Sequence, residues 1–176
     1  AHGFIYASEV CIWKDPVTSM QRTKALGLLH KTVRTNACMS RQGIPDYLVT
    51  MRAPGEMVDK VTHEPDQYPV DKWQKVASPV WMDIDPSDTL QYRSAREHDD
   101  ERHICPLQLE VIRRGIKLWT TPCDVVLTPV LGIGSEALCA VEVHRKAIGV
   151  ELKQSYFRQA VKNIDSLSAQ SDLFCA

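Results

Sequence analysis

Apolar positions recur with a regularity after residue 106 that the first hundred residues lack. Leu109, Ile112, Ile116 and Trp119 follow one another at steps of three, four and three, which marks one buried face of a helix. Pro106, which needs no amide partner at a first helical position, is expected to open that helix. Residues 124–130 (Asp-Val-Val-Leu-Thr-Pro-Val) are short, apolar and β-branched, the pattern of a central parallel strand. A glycine turn follows, and residues 135–144 read as a helix through Ala137, Leu138, Ala140 and Val141. Ala147-Ile148-Gly149-Val150-Glu151 gives the next strand, and Tyr156, Phe157, Ala160, Val161 and Ile164 a second amphipathic helix. The order is that of a βαβ unit with flanking helices, and its crossover is expected to be right-handed.

Upstream the pattern is looser. Residues 3–13 alternate through Phe4, Ile5, Tyr6, Val10, Ile12 and Trp13 and stop at Asp15-Pro16, as a strand ended by a proline would. Residues 47–51 read as a second strand between two Gly/Pro-bearing turns. Residues 56–101 have weak periodicity, are acidic and are interrupted by prolines. They read as a long irregular insertion packed by Trp73 and Trp81 rather than as a separate domain. The expected organisation is one α/β domain. It comprises a strand and basic stretch (1–55), the insertion (56–101), the βαβ unit (102–165) and a tail (166–176).

Composition narrows the class. At 176 residues, 44% hydrophobic and 24% charged, the chain can bury a core and is neither disordered nor fibrous. No apolar run approaches the roughly 18 residues that span a bilayer, and no secretory leader is visible, so a cytoplasmic location without a membrane partner is expected. The first residue is Ala1 rather than Met, which reads as a piece of something longer. Six cysteines are scattered without a Cys-x-x-Cys pair, and the histidines show no metal spacing. Reduced, space-filling thiols and no metal site are therefore expected. The net charge of −1 is uneven: residues 1–55 hold 7 Lys/Arg against 3 Asp/Glu, and residues 56–101 hold 5 against 12. Arg22, Lys24, Lys31, Arg34, Arg41 and Arg52 face only Asp46, so this stretch could contact phosphates or form a solvated face.

One motif carries chemistry. Gly132-Ile133-Gly134-Ser135-Glu136-Ala137 fits G-x-G-x-x-G/A between an expected strand and an expected helix. The first glycine permits the sharp turn, and the second is expected to let a ligand approach the backbone. Ala137 lets the helix pack close to the sheet. Glu151, 19 residues after Gly132, ends the next strand, where a carboxylate can accept from both hydroxyls of an adenosine ribose. Together these point to an adenosine-containing cofactor, against the plainer alternative of a tight connection and a surface glutamate. They do not separate NAD from S-adenosylmethionine, because a helix start favours anions and would not attract a sulfonium.

Several stretches in order resemble the DNA amino-methyltransferases that modify exocyclic amines of adenine or cytosine, especially prophage-type members. They are Ile12-Trp13-Lys14-Asp15-Pro16, Ser40-Arg41-Gln42-Gly43, the run from Asp100 to Leu109, the glycine turn, and Ile148-Gly149-Val150-Glu151-Leu152. The resemblance implies a Rossmann-like methyltransferase fold, incomplete here and carrying an insertion, with S-adenosyl-L-methionine as cofactor and double-stranded DNA as partner. It implies that His103, Ile104 and Pro106 close over the methionine end of the cofactor. Thr128, Gly132, Gly134 and Ser135 would form the cofactor turn, and Glu151 the ribose acid. In permuted members the catalytic motif, Asp/Asn/Ser-Pro-Pro-aromatic, precedes the target-recognition region and the cofactor turn. The nearest candidate here, Ser78-Pro79-Val80-Trp81, lacks the second proline and reads as a different segment. A missing N-terminal part or a second subunit would then hold the motif. Arg22, Lys24, Lys31, Arg34 and Arg41 are the expected DNA contacts. Three departures from the family pattern, Cys123 for a glycine, Thr128 for Asp or Ser, and Val130 for Phe, fit a drifting copy. The alternatives are an inactive remnant, an NAD-binding oxidoreductase fragment, and a DNA-binding module with a vestigial cofactor fold.

Overall fold

The computed structural model describes residues 3–56, 60–91, 93–95 and 105–174. Contacts divide the chain into two compact units, residues 1–59 with 65–84, and residues 60–64 with 85–176.

The first unit is built on β1 (Ile5–Ile12). Asp15 and Pro16 do not merely end this strand. The Asp15 carboxylate accepts from the Thr18 amide at 2.7 Å, and Pro16 begins α1 (Pro16–Thr23), a side-chain cap followed by a proline at the first helical position. A short helix, α2 (His30–Thr35), leads to β2 (Asp46–Arg52). β2 pairs antiparallel with β1 from Ile5↔Arg52 to Ile12↔Asp46, with a register shift between Tyr6 and Ser8. The stretch expected to be an irregular insertion is partly regular. It contains α3 (Val70–Val76) and β3 (Val80–Trp81), and β3 joins the other edge of β1 in parallel, giving the order β2-β1-β3. In that pairing Ile12 lies opposite Trp81, and both are buried. Trp73, expected to pack the insertion, is exposed.

In the second unit α4 (Leu109–Trp119) starts three residues later than Pro106. Gln108 is extended, and the Leu109 amide donates to the Asp88 carbonyl at 2.8 Å, so a neighbouring loop fixes the helix start. Leu109, Ile112 and Ile116 are buried as the spacing predicts, each stabilising by about 1.5–3 kcal/mol. Trp119 at the last turn is 42% exposed and lies off that face. β4 (Val125–Thr128), α5 (Ser135–Glu142) and β5 (Lys146–Gly149) form the expected unit, with β4 and β5 parallel in the register Val125↔Lys146 to Thr128↔Gly149. α6 (Gln154–Phe174) follows. The core joins Leu109, Ile112 and Ile116 to Leu138, Cys139 and Ala140 of α5 and to Val143 just after it, with Val126 and Ala147 packed against it from the two strands. Arg113 ties α4 to α5, its Nε donating to Glu142 at 2.8 Å while Nη1 reaches Asp88 at 3.2 Å.

The connection into β4 carries an unusual backbone. Cys123 has φ +71° and His144, at the matching turn after α5, has φ +64°. The Cys123 amide donates to the His144 carbonyl at 2.9 Å, so the two left-handed residues lock together. This is the position where the family resemblance implies a glycine. The parallel strand–helix–strand order of the second unit is that of an incomplete Rossmann-like fold. No described helix is long and apolar enough to cross a membrane.

Candidate functional site

The chain between β4 and α5 makes a tight bend held from three sides. The Leu131 amide donates to the Val150 carbonyl at 2.8 Å, which binds the bend to the end of the neighbouring strand. The Glu151 carboxylate accepts from the Gly132 amide through Oε2 and from the Lys153 amide through Oε1, both at 2.8 Å. From α6, the Asn163 amide group donates to the Ile133 carbonyl at 2.8 Å, and Gln159 in turn donates to Asn163 Oδ1. A loop that presents backbone groups to a ligand is thus fixed before any ligand arrives.

The two glycines of the motif do different work. Gly132 sits at φ +57° with open space where a side chain would stand, so its face is free for a ligand. Gly134 sits at φ +92°, and a Cβ there would lie 2.9 Å from Ala160 Cβ and 3.1 Å from Ala160 Cα. What approaches the second glycine is therefore α6, not a ligand. A third glycine, Gly149, escaped the sequence reading as a close-approach position. A Cβ there would meet Leu131 at 2.6 Å. Ala137 is buried against Leu131 and Ala160, as its place in the motif predicts.

Beside the bend lies an open hollow of about 380 Å³, within the size range of small-molecule sites. Pro106, Gly132, Ser135 and Glu151, all expected at the cofactor, line it together. Thr128 and Gly134, also expected there, do not. Thr128 is buried in β4 and Gly134 faces Ala160. His103 and Ile104 lie outside the described residues. The sequence reading missed Glu136 and Tyr156, which complete the polar lining, and Asn163, which holds the bend from behind. Their signal was faint. Glu136 stands inside the glycine motif at a position free to vary, and Tyr156 read only as a helix face. Val130 is 78% exposed at the rim.

Among the described residues the lining has two carboxylates, Glu136 and Glu151, and no Lys, Arg or His. Burial holds the Glu136 carboxyl above its usual range, against a hydrogen bond from its own backbone amide that lowers it. Each Glu151 oxygen uses one acceptor position on a backbone amide and keeps another for a ligand hydroxyl. The Cys139 thiol nearby is no nucleophile. It is fully buried, and burial pushes its pKa up to about 12.

The other candidate residues lie in the first unit. Trp81 is 1% exposed and its indole N–H donates to the Val76 carbonyl at 3.2 Å, so its ring has no free face for a base. Pro79 accepts the Cys11 amide as part of the sheet, and the Ser78 hydroxyl donates to the Val80 carbonyl. Ser78 and Pro79 thus lead into β3, whose Val80 and Trp81 are tied into the sheet. Arg22, Lys24, Lys31, Arg34 and Arg41 are all exposed, on or beside α1 and α2. Asp46, the acid nearest in sequence to Lys31, Arg34 and Arg41, is paired with Lys14 at 2.7 Å.

A family model described as DNA methylase, of the N6/N4 type, matches residues 7–162. The chain belongs to this family, the DNA amino-methyltransferases. It is 28% identical over 112 residues to the type II methyltransferase M.BglII of Bacillus subtilis, a match covering 62% of this chain and 29% of that protein. Among solved structures, the DNA modification methylase TTHA0409 of Thermus thermophilus superposes with a TM-score of 0.64 at 19% identity. That match covers 92% of this chain and 56% of that one. The same protein complexed with S-adenosyl-L-methionine gives a TM-score of 0.59, covering 92% and 55%. At this identity the likeness is one of fold. The chain spans less than a third of M.BglII and a little over half of the solved chains.

Proposed function

We propose that this chain forms the S-adenosylmethionine-binding part of an enzyme that methylates the exocyclic amine of adenine or cytosine in DNA. The observation that carries the reading is the Glu151 carboxylate, fixed at the bend by the Gly132 and Lys153 amides with two acceptor positions left over. A ribose diol matches those positions, and the open face of Gly132 leaves room for the nucleoside to lie against the backbone. Family membership, and the complex of TTHA0409 with S-adenosyl-L-methionine, favour this cofactor over NAD. The two carboxylates favour it independently, since a pyrophosphate would meet repulsion in a hollow whose described lining has no cation.

Bound S-adenosylmethionine would supply an electrophilic methyl group. Gly132 and Glu151 would orient the nucleoside, Pro106 and Tyr156 would shield the hollow from water, and Arg22, Lys24, Lys31, Arg34 and Arg41 would hold phosphates of double-stranded DNA. The amine is a weak nucleophile because its lone pair is delocalised into the ring. It needs acceptors and a stacking aromatic to present it, usually with the base flipped out. Trp81 is in no position to stack. We therefore infer that this chain alone binds cofactor without turning over, and that the catalytic motif acts from another part of the protein or a partner.

The test is calorimetric titration with S-adenosylmethionine and with NAD. S-adenosylmethionine should bind, and Glu151→Gln should weaken it by about ten- to a hundredfold. Binding of NAD alone would overturn the reading. For DNA, replacing Arg34 and Arg41 with Ala should lower the slope of log affinity against log salt by about two, one per lost phosphate contact. An unchanged slope removes the basic stretch from the interface.

A further inference from the structure

Building on the cofactor reading above, we propose that Glu136 makes the hollow a charge filter, preferring the cationic methyl donor over the uncharged thioether left after transfer. Glu136 is the second residue of α5, in the helical turn whose free amides would otherwise attract an anion from the ligand. Here the protein places its own carboxylate residue in that turn, and Glu136 lines the same hollow as Glu151. A ligand arriving there meets a negative wall.

Among the described residues, the groups around Glu136 leave that charge uncompensated. Glu151 faces the hollow from the end of β5, Tyr156 from α6, and Cys105 from the stretch before α4. Cys139, one turn further along α5, is neutral, its buried thiol held far above the ordinary range. Lys153 has its ammonium 4.4 Å from the centroid of the Tyr156 ring and is not among the lining residues. Burial weakens solvent screening of Glu136, so its charge acts across the hollow more strongly than it would at a surface.

Methyl transfer changes one ligand charge only. The S–CH3 bond breaks with its electron pair staying on sulfur, the N–CH3 bond forms, and the amine gives up a proton to solvent. The sulfonium becomes a neutral thioether, while the amino-acid end and the adenosine are unchanged. A carboxylate facing the sulfur end therefore holds the donor more tightly than the spent cofactor and aids exchange of one for the other. Glu151, acting on the ribose that both share, contributes nothing to this difference.

The experiment is titration of the 176-residue chain and its Glu136→Gln variant with three ligands. These are S-adenosylmethionine, S-adenosylhomocysteine, and sinefungin, which carries an ammonium in place of the methylated sulfur. The wild-type chain should bind the two cations tighter than the thioether, by a factor on the order of ten. In Glu136→Gln the ratio should collapse toward one through loss of affinity for the cations alone. A ratio unchanged in the variant overturns the filter while leaving the cofactor reading intact. If the wild-type chain binds none of the three ligands, both fall together. A second measurement needs no variant. Because burial raises the Glu136 carboxyl above its usual range, the wild-type donor-to-thioether ratio should shrink as pH is lowered through the acid range and the acid takes up its proton. A ratio flat across that range also overturns the filter.

Discussion

The two compact units differ in what holds them. The first, with β1, β2 and β3, has four buried apolar residues among those described, Ile12, Val76, Trp81 and Ile84, and its short helices α1 and α2 bury none. The second has thirteen, drawn from the helices and the bends beside them rather than from β4 or β5. In the first, stability rests on one large side chain in a thin layer. In the second it rests on close backbone approaches, where Gly134 meets Ala160 and Gly149 meets Leu131. One unit is vulnerable to losing volume, the other to gaining it.

Trp81→Ala gives the largest expected effect. It should cost about 3–5 kcal/mol in the first unit, read as loss of cooperative unfolding by near-ultraviolet circular dichroism. S-adenosylmethionine binding by the second unit should survive it. Binding lost in parallel would break the comparison. Gly134→Ala is the mirror experiment. Overpacking against Ala160 costs about 1–3 kcal/mol and the positive φ about 1–2 more, so the melting temperature should fall and cofactor binding with it. A neutral Gly134→Ala would refute the close contact with α6. The smallest change is a gain. Cys123→Gly should relieve the left-handed strain at φ +71° and raise stability by about 0.5–1 kcal/mol in denaturant titration.

The same contrast decides what could be read in advance. The second unit is a local arrangement, with strand, turn, helix and strand in succession, so its apolar periods announced Leu109, Ile112 and Ile116, and its glycine motif pointed to Ala137 and Glu151. Where the reading strayed, a contact distant in sequence had intervened. α4 begins at Leu109 because Asp88 receives its amide, and Gly134 is small because Ala160 lies behind it. The first unit is assembled from more distant pairings, Ile12 with Asp46 and, some seventy residues apart, Cys11 with Val80. No period within residues 56–101 could disclose that Val80 and Trp81 complete a sheet begun at Ile5. Glu136 was hidden for another reason. Its position tolerates any residue as far as the turn is concerned, and only the shape of the hollow gives it a task.

The grip of α6 on the bend, with Asn163 on the Ile133 carbonyl and Ala160 beneath Gly134, sets how the seat behaves thermally. A backbone already immobilised surrenders little freedom when occupied, so association should carry a small entropic penalty for the protein itself. The guest must adapt its torsions to the seat, since the seat has none to give.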